Sequence, residues 1–135
     1  MKIIHELSEM EFNTCLSLAQ DNKCDEKTLD ELAEHPDAIV RDAVARNRNT
    51  TAKTLSKLAL DKEWDVRYDV ANNKNTTAET LSVLATDENV DVRWAVVYNK
   101  NTSAQTISKL KNDKEYIVRH AVSSLKKFTY HRSTW

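Results

Sequence analysis

The sequence repeats one pattern of residues every 26 positions, and this repetition limits the fold more than any other feature. From Val66 the chain reads VRYDVANNKNTTAETLSVL, and from Val92 it reads VRWAVVYNKNTSAQTISKL. The apolar columns that recur in this register are Val40, Val66, Val92 and Val118; Val44, Val70, Val96 and Val122; Leu29, Leu55, Leu81 and Ile107; and Leu32, Leu58, Leu84 and Leu110. A single short unit cannot bury its apolar face alone, whereas stacked units bury theirs against one another. The repetition therefore predicts a solenoid.

Each unit is expected to contain two helices. Val66 and Val70 are four residues apart on one helix, and Leu81 and Leu84 are three apart on a second, shorter one. The first of these helices should cover about residues 62–72. The chain has no Gly and one Pro, which disfavours tight hairpins and favours helices. We therefore predict an all-α fold, a right-handed α-solenoid (superhelix) of 26-residue two-helix repeats with irregular terminal capping units.

The same register divides the chain. We expect a single domain over 1–135, in which a degenerate N-terminal unit covers 1–34 and the regular repeats cover 35–60, 61–86 and 87–112. A C-terminal capping helix and tail would cover 113–135. Terminal units that depart from the pattern are expected, because they must cover the open ends of the stack.

Polar columns of the repeat predict caps and turns. Asp61 and its equivalents stand where the first helix of a unit needs an N-cap, and Thr76 to Glu79 reads as a capping box for the second. Without Gly, Asn73 is the residue best suited to a left-handed C-cap.

A column of arginines also follows the repeat. Its members are Arg41, Arg67, Arg93 and Arg119, and an Asp precedes three of them by six residues, at Asp61, Asp87 and Asp113. In HEAT-like repeat proteins, which this pattern resembles, an Asp at this spacing typically helps form a ladder of hydrogen bonds between repeats, so we expect a structural ladder here. The first unit has His35 in place of Asp, so the ladder should weaken there.

The repeated pattern resembles the leucine-rich repeat variant family, which belongs among the HEAT-like helical repeat proteins. The residues that carry the resemblance are Asp61, Val66, Arg67, Val70, Ala71, Asn73, Asn75, Thr76, Leu81, Leu84 and Ala85, with their counterparts one unit away. The resemblance covers roughly residues 14–124 and implies a solenoid that binds a partner. Arg48, Lys74 and Lys100 stand where the family often has Pro in the turn between helices. Cys15 and Cys24 do not form the cysteine cluster that accompanies an iron–sulfur segment in some members, so we expect no cofactor.

Columns that vary between repeats are candidates for recognition, because they are not needed for stacking. Tyr68 lies about 180° from the midpoint of Val66 and Val70, so its column should face outward. The predicted partner-binding residues are Asp42, Arg46, Tyr68, Asn72, Trp94, Tyr98 and His120. Exposed Tyr and Trp side chains are typical of binding hot spots. We assign Trp64 and Tyr116 to a structural column nearer the flank between repeats. The sequence thus favours non-catalytic binding of a protein or peptide.

Two alternatives stay open at this point. Arg48, Lys74 and Lys100 would form a basic edge along the turns that could meet the phosphates of a nucleic acid. The exposed aromatic residues could instead mediate self-association within a larger assembly, so the oligomeric state is left open.

Other function classes are disfavoured. No arrangement of the four His, the acidic residues or the Ser predicts a catalytic or metal site, so we expect no enzyme and no metal. A net charge of −1 does not favour nucleic acid or an anionic membrane. The sequence has no long apolar run or secretory signal pattern, and we expect a cytoplasmic protein that contacts no membrane. We expect Cys15 and Cys24 to be two reduced thiols, and the alternative is a redox pair.

Overall fold

The computed structural model describes residues 10–133, with side chains described from 10 to 125. This part of the chain forms nine helices and no strand. The longer helices are α1 (Phe12–Gln20), α3 (Ala38–Arg46), α5 (Trp64–Asn72), α7 (Val90–Tyr98) and α9 (Tyr116–Ser133). The shorter helices, each of seven residues, are α2 (Glu26–Leu32), α4 (Ala52–Leu58), α6 (Ala78–Leu84) and α8 (Ala104–Leu110). The prediction of an all-α protein is confirmed for these residues.

Successive long helices pack on one another, and each short helix lies against the long helix that follows it. The most extensive contacts join α1 to α3, α3 to α5, α5 to α7 and α7 to α9. This order of contacts is consistent with a helical repeat arrangement. No helix in the described part of the chain is long and apolar enough to cross a membrane.

The core is built from the repeated apolar columns. All eight Val of the two valine columns are buried, as are all the Leu of the two leucine columns. Ile107 is the exception, since it is only partly buried against the core. It lies on α8, the last short helix of the described chain, so no further short helix follows to cover it. Each fully buried Val or Leu contributes roughly 1.5–3 kcal/mol through burial.

The arginine column forms a ladder, but with different partners from those predicted. Arg67 donates from Nε and Nη2 to both carboxylate oxygens of Asp87, 20 residues later, at 2.7 and 3.1 Å. Its Nη1 donates to the backbone carbonyl of Asp61, six residues earlier, at 2.7 Å. The arginine therefore bonds the backbone of its own unit and the carboxylate of the next. We call the pairs Arg41–Asp61, Arg67–Asp87 and Arg93–Asp113 the arginine ladder.

The expected weakening of this ladder at His35 is wrong. Arg41 donates to the carbonyls of His35 and Pro36, both at 2.9 Å, and keeps the Asp61 carboxylate at 2.7 Å. Only the backbone of residue 35 is needed by Arg41. A carboxylate at position 35 would serve an arginine one unit earlier, and that position holds Cys15. The Asp and the Arg are thus absent together.

Asparagine side chains form a second connection between units. Asn73 donates from Nδ2 to the carbonyls of Ala45 and Asn47 at 2.8 and 3.1 Å, and its Oδ1 accepts from the Asn75 amide at 2.9 Å. Asn47 and Asn99 make the same contacts one unit before and after. We call Asn47, Asn73 and Asn99 the asparagine ladder. A left-handed cap is wrong for Asn73, which has φ −78° and ψ 131°.

The predicted helix caps are shifted by one or two residues. Asp61 is not an N-cap; α5 starts at Trp64 after Glu63, and the Asp61 carboxylate accepts from the Glu63 amide and from Arg41. The N-cap of α6 is Thr77, whose hydroxyl accepts from the Thr80 amide at 3.2 Å. The preceding hydroxyl, of Thr76, is committed to the Val70 carbonyl at 2.6 Å. A buried bond therefore decides which of two adjacent threonines caps the helix.

Candidate functional site: an acidic and aromatic groove

A groove of about 790 Å³ crosses the surface formed by the long helices α3, α5, α7 and α9. Hereafter "the groove" means the space lined by Asp42, Arg46, Trp64, Asp65, Tyr68, Asp69, Asp91, Trp94 and Ile117. It is open to solvent.

The packing of the long helices explains the position of the groove. Each inner long helix is covered on two sides by neighbouring long helices and on a third by short helices. A strip of side chains spaced three or four residues apart remains uncovered, and on α5 it comprises Asp65, Tyr68 and Asn72. Tyr68 and Trp94 are half-buried against the core rather than fully outward as predicted.

The aromatic rings are arranged in pairs along the helices. Trp64 packs edge to face on Tyr68, with ring centroids 6.3 Å apart, and Trp94 packs on Tyr98 at 4.9 Å. Trp64 is 43% exposed and Tyr98 is 45% exposed. Contrary to its predicted structural position, Trp64 lines the groove. Large exposed aromatic surface of this kind is costly to hydrate and is concentrated at binding sites.

Two carboxyl groups in the groove share one guanidinium. Arg46 donates to Asp42 at 2.6 Å and to Asp69 at 3.3 Å. Burial, followed by the adjacent carboxyl of Asp42, raises the pKa of Asp69 to about 7, although Arg46 acts in the opposite direction. Asp69 therefore changes its protonation state near neutral pH, and the charge of the groove changes with it.

The structure divides the predicted binding residues among three places. Asp42, Arg46, Tyr68 and Trp94 line the groove. Asn72 and Tyr98 line a neighbouring shallow depression together with Lys74 and Lys100. His120 lies on α9 beside Tyr116, with its ring centroid 5.6 Å from that of the tyrosine.

Sequence reasoning missed several groove residues, although two signals could have found them. Asp65 and Asp91 lie three residues before Tyr68 and Trp94, on the same strip, in a column that also holds Ile39 and Ile117. Asp69 stands in a column whose other members, Ala43, Ala95 and Ala121, are small and buried. Asp69 therefore departs from the repeat, because the other units have alanine at this position, and this departure is the second signal.

The predicted basic edge consists of exposed side chains on stacked turns. Arg48, Lys74 and Lys100 are all exposed. The carbonyls of Arg48 and Lys74 accept from the side-chain amides of Asn75 and Asn101, both at 2.7 Å, which fixes each turn on the next. The turns thus place these cations along one edge, beside the groove rather than in it.

The remaining sequence predictions concern the two cysteines and a metal site. Cys15 and Cys24 are buried; burial raises the pKa of both thiols, and Asp25 and Asp21 raise that of Cys24 further. Within the part of the chain that the structure describes, no three His, Cys, Asp or Glu side chains are grouped so that they could hold a metal ion.

Fold and site together define an all-helical protein with a repeat-like helix arrangement and an open groove across its long helices. Compared with models of protein families, with curated proteins and with solved structures, the chain shows no significant match. The resemblance to the leucine-rich repeat variant family therefore stays a prediction.

Proposed function

We propose that the chain is a right-handed α-solenoid of 26-residue repeats that acts as a non-catalytic binding module for a protein or peptide. The units would be those predicted from the register, with the surface of the long helices as the recognition face. The recurrence of the same hydrogen bonds along both ladders supports the repeat assignment. A cytoplasmic location is part of the same proposal.

The groove carries the functional part of the proposal. Among its aromatic side chains Trp64 is 43% exposed, and the aromatic positions differ from repeat to repeat, whereas the arginines and asparagines of the two ladders do not. Tyr and Trp supply large contact area at a small cost in side-chain entropy, so they are favoured anchors in interfaces. An open groove across several helices suits a chain segment better than a small enclosed ligand.

A peptide display library tests this function directly. We expect peptides selected on the wild-type protein to lose at least tenfold in affinity for Trp64→Ala. Tyr116→Ala is the matched control, since Tyr116 also opens a long helix and is 68% exposed but does not line the groove. If the selected peptides bound both variants equally well, the groove would not be the binding site.

The same proteins separate the two alternatives. Self-association predicts a dimer or larger species in light scattering that Trp64→Ala dissociates. Nucleic-acid binding predicts an affinity for an oligonucleotide that falls steeply with salt and is lost when Arg48, Lys74 and Lys100 are replaced together. If either result were obtained and no peptide bound in the groove, the corresponding alternative would be favoured over the proposed function.

A further inference from the structure

The charge of the groove restricts what it can bind. Its lining includes four carboxyl groups and a single guanidinium. Arg46 is already held by Asp42 and Asp69, so it is not available to an anionic ligand. Asp65 and Asp91 are exposed, and among the described residues neither carboxylate has an ion-pair or hydrogen-bond partner. The unneutralised charge of the groove is therefore negative.

The aromatic residues reinforce the same preference. The indole rings of Trp64 and Trp94 line the groove together with Asp65 and Asp91, which stand one and three residues away from them in the sequence. The face of an indole attracts a guanidinium or ammonium group, and the attraction grows when the cation loses water. A carboxylate beside an exposed indole thus suits an arginine or lysine side chain and repels a phosphate.

The position of Asp69 shows that the groove also holds a carboxyl group that is not on the solvated helix surface. At the equivalent positions Ala43, Ala95 and Ala121 are buried where long helices meet. The Asp69 side chain is only 15% exposed, and it adjoins a second carboxyl, that of Asp42. Placing a carboxyl group there opposes folding, since both burial and a like charge disfavour its ionised form. The groove thus contains a carboxyl group at a position where helix packing alone would favour alanine.

The length of the groove sets the size of its occupant. Its lining spans four successive long helices, α3 to α9. With neighbouring helix axes roughly 8–10 Å apart, it is on the order of 25–30 Å long. An extended peptide of about eight residues covers this distance.

We propose that the groove binds an extended segment of a partner protein rich in arginine or lysine, whose cationic side chains lie on Trp64 and Trp94 and pair with Asp65 and Asp91. This inference rests on the proposed function and narrows it to one class of partner. The segment runs across the long helices, with its apolar contacts on the rings and its charges on the carboxylates.

Fluorescence anisotropy with defined probes tests the proposal. The probes are labelled twelve-residue peptides of alternating arginine and serine, lysine and serine, and glutamate and serine. We expect the two cationic peptides to bind the intact chain and the glutamate peptide not to bind. Asp65→Asn/Asp91→Asn should weaken binding of the arginine peptide at least tenfold, because it removes both unpaired carboxylates.

A second double variant controls for overall charge. Glu26→Gln/Glu79→Gln removes the same charge from exposed positions on the short helices and should change the affinity less than threefold. Equal weakening by the two double variants, or tighter binding of the glutamate peptide than of the arginine peptide, would overturn the inference.

The display library distinguishes failure of this inference from failure of the proposed function. Groove-dependent peptides that are enriched in arginine and lysine support both. Groove-dependent peptides that are acidic or purely apolar preserve the proposed function and contradict the cationic partner. If no selected peptide depends on Trp64, both are overturned, as they are if an oligonucleotide binds in the groove in place of peptides.

Discussion

The two ladders and the groove use the same kinds of residue in opposite ways. In the arginine ladder, each Asp faces an Arg of the preceding unit through two hydrogen bonds, and both side chains are nearly buried. In the groove, Asp65 and Asp91 face solvent, and Asp42 and Asp69 share one Arg. The carboxylates of Asp61, Asp87 and Asp113, which recur in the repeat register, are neutralised by an arginine of the preceding unit. Asp65 and Asp91, whose column varies between units, have no such partner among the described residues. This contrast is the basis on which we distinguish a structural ladder from the proposed binding groove.

Breaking the arginine ladder should have the largest effect on stability. Arg67→Met leaves the Asp87 carboxylate buried without its guanidinium, so we expect a loss of about 3–5 kcal/mol in the free energy of unfolding. Urea denaturation followed by circular dichroism measures it. Arg119→Met is the matched control in the same column. It should cost clearly less, because within the described residues Arg119 donates to the Asp113 backbone carbonyl and pairs with no carboxylate that the change would leave buried and uncompensated. Equal losses would show that the ladder carboxylates add nothing.

The asparagine ladder should come next. Asn73→Asp keeps the shape of the side chain but replaces the Nδ2 donor by a carboxylate oxygen. Two backbone carbonyls then lose their donor and face another acceptor. Each buried acceptor left without a donor costs about 1–3 kcal/mol, so we expect a loss of at least about 2 kcal/mol. The same urea experiment measures this loss. Asn72→Asp, at the adjacent exposed position, should stay within about 0.5 kcal/mol of wild type, and a similar loss for both would contradict the ladder.

Replacing Asp69 by alanine should raise the free energy of unfolding, in contrast to the two ladder variants, and the gain should depend on pH. The pKa of Asp69 is about 7 in the folded protein, above its ordinary value of 3.8, so the folded state binds this proton more tightly than the unfolded one. The stability contributed by this bound proton is fully present below about pH 4 and is lost as the pH rises through about 7. Asp69→Ala should therefore gain stability relative to wild type across this range, measured by urea denaturation at several pH values. A difference that does not vary with pH would contradict the raised pKa.

The smallest effect is expected at an exposed ion pair outside both regions. Lys57 lies 3.3 Å from Asp30, and the two side chains are 47% and 44% exposed. Exposed pairs contribute about 0–1 kcal/mol, so Lys57→Ala should shift the free energy of unfolding by less than about 1 kcal/mol. A loss comparable to that of Arg67→Met would mean that burial does not separate the two kinds of pair.

Much of the fold could be predicted from the sequence because its columns recur. Periodicity alone predicts the buried Val and Leu, and the resemblance to HEAT-like repeats predicts that the Arg and Asp columns form a ladder. The partners within the ladder could not be assigned in this way. Asp61 is at a fixed spacing from both Arg41 and Arg67, and only the structure shows that its carboxylate meets the first and its carbonyl the second.

The candidate site was less predictable for a geometric reason. An exposed strip was inferred from one helix in isolation, which places Tyr68 opposite the core, whereas neighbouring long helices cover part of that face. Trp64 was assigned to the flank, yet the same stacking leaves it beside the groove. The sequence alone does not distinguish Asp65 and Asp91 from other carboxylates on solvated helix surfaces, because their neighbours lie on other helices. The groove is a property of adjacent helices, and no single column contains it.

The most direct measurement compares Asp87→Asn with Asp91→Asn. The same change is made four residues apart, once in the arginine ladder and once in the groove. Asp87→Asn should lower the free energy of unfolding by about 3 kcal/mol, because Arg67 loses its buried counter-charge. Asp91→Asn should lower it by less than about 1 kcal/mol, the loss of one carboxylate in the first turn of α7, and should weaken binding of the arginine peptide. If Asp91→Asn unfolded the protein as much as Asp87→Asn did, or left peptide binding unchanged, the separation of a structural ladder from a binding groove would be contradicted.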